Sequence, residues 1–304
     1  MDRRELGRRS AAAVFACLAA CLPMCACSPE PEEVCTHAGS ALSVCPRGAV
    51  TAGVDVSAYQ GSIAWAQVKA SGIAFAFARV SDGATTVDAE FANNWRAMKS
   101  AGLVRGAYQF FRASEDPLAQ ASLALSMLAD AGGREPGDLP AVMDIETADG
   151  ESSATVRARM ATWIDAVARG TGAPPLLYTN AATSAVIGTA FAGEPLWVAN
   201  WGATCPTMPD GWSAWTFWQH SDMGTVPGVT TAVDLDEFDG TLAELLSFAA
   251  LAGDAGVPAG EAGSAMGASD DAGRLEAGAM AGDAGAAMGA GAVDAARTTE
   301  SCTP

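Results

Sequence analysis

The chain has 304 residues, half of them hydrophobic, with a formal net charge of −18 and a pI near 4.3. So acidic a chain lacks the basic patches that neutralise phosphates, which excludes nucleic acid as an expected partner. With only His37 and His220, and no Cys-x-x-Cys beyond the N-terminal segment, a structural zinc site is not expected, and no metal or cofactor is implied.

The N-terminus reads as an export signal. Arg3, Arg4, Arg8 and Arg9 precede an apolar run from Ala11 to Leu22 that is too short to span a bilayer. Met24-Cys25-Ala26-Cys27 resembles a bacterial lipoprotein signal with Cys27 as the lipid acceptor; Cys25 as acceptor and plain cleavage near Ala26 are the alternatives. Residues 1–27 are thus expected as a signal peptide with a lipobox, and 28–49 as a Pro/Glu-rich linker. Residues 50–248 form the folded domain, and 249–304 a low-complexity Ala/Gly/Asp tail too poor in large apolar residues to offset its ordering entropy. The expected protein is an exported monomer, anchored through Cys27 or released, that meets a membrane only through its lipid. Cys35, Cys45, Cys205 and Cys302 admit three pairings; Cys35–Cys45 joins the two nearest in sequence, and Cys205–Cys302 would be its complement.

Within the domain, short apolar runs alternate with helical periodicity. Val54–Val56, Phe75–Val80, Val104–Phe111, Leu139–Ile145 and Leu176–Tyr178 read as strands. Three helical faces lie among them: Phe91/Trp95/Met98, Leu118/Ala121/Leu125/Leu128 and Val156/Met160/Trp163/Val167. Leu196–Val198, Thr216–Trp218 and Val233–Leu235 read as further strands with little helix between them. The order implies parallel strands with helical crossovers, then a bare remainder: an α/β, shortened TIM-like (β/α)5β3 barrel. An open doubly wound sheet is the competing arrangement, but no G-x-G-x-x-G follows the first strand.

Parallel barrels carry their chemistry at the carboxyl ends of the strands. Asp55 lies on the first strand, Asp144 and Glu146 close the fourth, and Asp234 and Asp236 fall on the last. Acids in apolar strands are costly unless paired or solvated, and several at one mouth raise the proton affinity of at least one. A protonated acid beside a carboxylate is what glycoside hydrolysis needs. Tyr59, Tyr108, Phe110, Tyr178, Trp197, Trp201, Trp215 and Trp218 near the same strand ends suit sugar faces.

These motifs, in order across residues 51–240, resemble glycoside hydrolase family 25, the Chalaropsis-type lysozymes. Gly53–Gly61 with Ile63 and Trp65 is similar to that family's opening, Gly106–Arg112 to its third strand, and Pro140–Glu146 to its Asp-x-Glu strand. Leu177–Asn180, Leu196–Ala199, Trp218-Gln219 and Val233–Asp236 also match. The resemblance implies N-acetylmuramidase activity on peptidoglycan, with Glu146 as general acid and Asp144, Asp55 and Asp234 completing the catalytic set. It implies substrate contacts from Tyr59, Tyr108, Gln109, Tyr178, Asn180, Trp201 and Gln219. Ser81-Asp82-Gly83 and Gln109 depart from the family's usual Thr-Glu-Gly and Tyr-His-Phe, which leaves a catalytically weak, glycan-binding barrel as the competing reading.

Overall fold

The computed structural model describes residues 42–254. Its strands are β1 (Thr51–Val56), β2 (Phe75–Asp82), β3 (Thr86–Val87), β4 (Val104–Phe110), β5 (Val142–Asp144), β6 (Leu176–Asn180), β7 (Leu196–Ala199), β8 (Phe217–Gly224) and β9 (Val233–Phe238). Its helices are α1 (Trp65–Ala70), α2 (Phe91–Ser100), α3 (Pro117–Asp130), α4 (Ser153–Thr171), α5 (Ser184–Ile187) and α6 (Leu242–Asp254). β1 pairs with both β2 and β9, so eight strands close into a barrel, while the two-residue β3 hangs from the end of β2. This is the expected (β/α)5β3 architecture. Six strands follow β1 in parallel; β9, reached from β8 by a connection too short for a crossover helix, runs antiparallel to both its neighbours.

Strand alternation separates two faces. Outward residues such as Ala76, Ala78 and Val80 pack beneath α1–α3, and Met143, Ile145, Leu177 and Val198 beneath α4 and α5. Inward, Phe75, Phe77, Trp197, Phe217 and Phe238 fill the lower barrel. Phe217 meets Phe75, Phe77 and Phe238 with ring centroids 5.1–5.3 Å apart. Gly53 and Gly106 make room for these rings: a Cβ on either would fall 2.2 or 2.3 Å from Phe75 or Phe77.

Local signals set the helix ends. Asp116 accepts from the Leu118 amide at 2.8 Å ahead of Pro117, and Ser152 caps α4, which stops at left-handed Gly172. The α4 face Val156, Met160, Trp163 and Val167 is buried as its periodicity predicts. In α3 the phase differs: Leu118 is exposed in the first turn, and Gln120 is buried in its stead.

Two boundaries need correction. The linker expected to reach residue 49 is docked from residue 42 onward: Ser43 bridges Thr207, and Arg47 donates to Asp239 at 2.7 Å. The pairing Cys35–Cys45 is replaced by Cys45–Cys205, a link across 160 residues. In the chain-entropy view such a loop contributes about 5 kcal/mol. At the other end, α6 crosses the expected tail boundary at 249. A capping box between Thr241 and Glu244 starts it, and Leu245 and Ala249 are buried against the barrel's lower end. Cys27, Cys35, His37 and Cys302 lie outside the described residues, as do the signal peptide and most of the tail.

Candidate active site

The upper end of the barrel opens into a cavity of about 270 Å³. Asp55, Asp144, Glu146 and Asp234 all line it. Each is delivered by strand alternation: Asp55 stands two residues above Gly53, Asp144 two above Val142, and Asp234 is the cross-strand partner of Asp55. Because β9 runs antiparallel, its first residues, not its last, reach the mouth. Glu146 lies just past β5, exposed at the rim above buried Asp144, and the two carboxyls line the same cavity and shift one another's proton affinity.

Crowding dominates the electrostatics. Burial, then the charge of Glu146, pushes Asp144 well above the usual carboxylate range. Burial, then Asp236 and Asp234, does the same to Asp55, against an opposing hydrogen bond from Gln219. Asp234 is raised to about 6, chiefly by burial. Glu146 is raised as well; although solvent reaches it, the enclosing cavity walls disfavour its charge, offset by Asp144 and by the charge of Arg112. Asp144 Oδ1 and Asp236 Oδ2 are buried without a hydrogen-bond partner among the described residues. Carboxylates so placed hold their protons to higher pH than solvent-exposed ones.

The walls hold this cluster in place. Gln219 Oε1 accepts from both Tyr178 Oη and Trp201 Nε1 at 2.8 Å. That fixes its amide, so Nε2 must point at Asp55 Oδ2, 2.6 Å away. Deeper, Asp236 accepts from Trp197 Nε1 at 2.9 Å. On another wall, Arg79 donates to Asp88 at 3.0 Å and its guanidinium stands 5.1 Å from the Tyr59 ring centroid. Among the described residues no group of three His, Cys, Asp or Glu is arranged to hold a metal ion.

Comparison with known proteins agrees with this geometry. The sequence profile of Glycosyl hydrolases family 25 matches residues 54–229. The chain belongs to glycosyl hydrolase family 25. A relative, lysozyme M1 of Streptomyces globisporus, is 39% identical over 211 residues, covering 65% of this chain and 70% of its own. The N,O-diacetylmuramidase of Chalaropsis sp is 32% identical over 189 residues, 56% of this chain and 87% of its own. The crystal structure of a bacterial lysozyme from Streptomyces coelicolor superposes with a TM-score of 0.61 at 35% identity, covering 66% of this chain and 98% of that one.

Within this family 25 barrel, Tyr59, Tyr108, Tyr178, Trp201 and Gln219 line the cavity, with Phe110 and Trp197. Gln109 does not. It points outward, where its Oε1 accepts from Trp163 Nε1 at 2.6 Å and its Nε2 donates to Ser81 Oγ at 2.7 Å. Asn180 lines a neighbouring depression, and Trp215 and Trp218 pack in the outer core. Asp82 is held by Arg112 through two bonds of 2.5 and 2.7 Å. Sequence reasoning passed over Arg79 and Asp222, both in the cavity wall. A lone arginine in the apolar run Phe75–Val80 was the available signal for the first; Asp222 carried none.

Proposed function

We propose that Asp144 and Glu146 hold one proton between them and that Glu146 delivers it to the leaving oxygen of a glycosidic bond. The chain is a glycoside hydrolase of the lysozyme family, and its substrate is peptidoglycan. The bond cleaved is that between N-acetylmuramic acid and N-acetylglucosamine. The observation that carries the proton assignment is the carboxyl pair at the end of β5, Asp144 buried below and Glu146 open above, lining one cavity. The outer member, Glu146, reaches the substrate, and the inner one, Asp144, lies beneath it in the same cavity. Asp55 and Asp234 complete the negative lining, with Gln219 holding Asp55.

The weaker, binding-only reading rested on Gln109 and Asp82. Gln109 lies outside the cavity, and Asp82 is neutralised by Arg112, so neither disables the carboxyl pair. Digestion of purified peptidoglycan with mass analysis tests the activity: products ending in reducing muramic acid support it, and intact glycan with retained binding rejects it. Relatives that act on the cell wall suggest export. The finer placement, a lipid on Cys27, rests on the Met24–Cys27 pattern; labelled-lipid incorporation that persists in Cys27→Ser would reject it.

A further inference from the structure

Gln109 stands outside the carboxylate cavity, yet four hydrogen bonds meet on its buried side chain. β2 bulges beside it: Tyr108 pairs with Arg79 and Gln109 with Ser81, so Val80 is the extra residue and Ser81 turns to the outer side. Gln109 Nε2 then donates to Ser81 Oγ at 2.7 Å, to the Gln120 carbonyl at 3.0 Å and, sharing a hydrogen, to the Gly83 carbonyl at 3.2 Å. Its Oε1 accepts from Trp163 Nε1 on α4. Gln120, buried on α3, makes the next link: its Oε1 accepts from the Arg112 amide and its Nε2 donates to the Arg112 carbonyl, both at 2.9 Å. Ser81 and Gly83 bracket Asp82, which takes the Arg112 guanidinium through two bonds. That guanidinium stands 4.4 Å from the Phe110 ring centroid, and Phe110 lines the carboxylate cavity with Glu146. Two buried amides thus hold both partners of one ion pair.

We propose that Gln109 is a positioning residue for the hydrolysis: it fixes Asp82 from behind and, through Gln120, Arg112, so that one positive charge keeps a constant place beside Glu146. The proposal rests on Glu146 as the general acid. Sharing the cavity with Glu146 are the carboxyls Asp144 on β5, Asp55 on β1, Asp222 on β8 and Asp234 on β9, the phenols Tyr108 and Tyr178 on β4 and β6, and Arg79 on β2. Arg79 is already bonded to Asp88, which leaves Arg112 as the cation that acts against burial on the Glu146 proton. Asp149, 3.8 Å from Arg112, shares that charge with Asp82. An amide does not titrate, so the restraint from Gln109 is the same at every working pH.

Without the charge in place Glu146 binds its proton more tightly, and the alkaline limb of the pH–rate profile, which reports the acid, moves up. The test uses the full chain and two variants. Gln109→Met keeps the volume and makes none of the four bonds; Arg112→Gln removes the charge directly. Each should raise the alkaline limb on peptidoglycan, Arg112→Gln by about half a pH unit, the scale of a partly exposed ion pair, and Gln109→Met by less. The double variant should move no further than Arg112→Gln alone. A residue that only supports the fold lowers the melting temperature and leaves the limb where it is. That result for Gln109→Met overturns the proposal, as does a double variant whose shift is the sum of the two. Where Gln109→Met does not fold, Ser81→Ala, which removes one acceptor, should move the limb the same way, and an unmoved limb there rejects the proposal equally. NMR titration of the Glu146 carboxyl carbon reads the same shift without turnover: a carboxyl that rises while the limb stays put keeps the positioning role and refutes Glu146 as the acid.

Discussion

The upper and lower halves of one barrel interior obey opposite rules. Below, Phe75, Phe77, Phe217 and Phe238 meet ring to ring and α6 closes the end. Above, nearer the mouth, the barrel strands present Asp55, Asp144, Asp234 and Arg79. The lower layer gains free energy by excluding water; the upper one spends some of it by holding carboxyls that would be more stable ionised in solvent. A step of two residues along a strand converts packing into chemistry, and the first layer supplies the stiffness that the second requires.

Substitutions in the two layers should therefore separate activity from stability. Glu146→Gln removes the transferable proton while leaving shape intact; kcat on peptidoglycan should fall by about 10²–10⁴. Turnover equal to wild type would reject Glu146 as the acid. Phe217→Ala does the reverse, costing roughly 3–5 kcal/mol in denaturant unfolding while the folded fraction retains its kcat. A variant that loses activity in step with stability would show the layers to be inseparable.

Gln219→Leu probes the join between them. It strips Asp55 of its donor and leaves Tyr178 Oη and Trp201 Nε1 without their acceptor. We expect kcat about tenfold lower, the scale of a lost bond to a charged group. Since the Gln219 bond favours ionised Asp55, its loss should move the acid limb of the pH–rate profile upward. A limb that stays in place would mean the bond does not tune the cluster.

The smallest effect concerns stability. Asp234 keeps its proton to about pH 6 when folded, against 3.8 in an open chain, so the folded state binds the extra proton between those values. The stability this lends is full at low pH and is lost as pH rises through 6. Asp234→Asn should match wild type near pH 4 and melt roughly 3 °C higher at pH 7. Equal melting at both pH values would show that the Asp234 charge is not strained.

Much of this was legible from local pattern. The eight strands, the α2 and α4 faces and the Asp144/Glu146 pairing all follow from periodicities of 2 and 3.6. Gln109 shows the same rule neglected: Tyr108 and Phe110 face inward, so the residue between them had to face out, toward Trp163. Asp236 was visible on the last strand, but its bond to Trp197 depends on contact between β7 and β9, which are not consecutive in the chain. The reach of β9 to the mouth depends on its antiparallel direction, a property of closure and not of its own residues. Leu118 was misplaced because Asp116 and Pro117 fix where α3 begins, and with it the phase of the face.

The bond between Cys45 and Cys205 has a temporal side. A chain threaded outward from its N-terminus presents Cys35 and Cys45 almost together, and Cys205 only 160 residues after Cys45. The earliest thiol Cys45 meets is thus not its final partner. Maturation must either keep Cys45 reduced until β7 has emerged or exchange an early bridge for the late one. The first route asks the receiving compartment only for a late oxidant; the second asks for thiol–disulfide exchange as well.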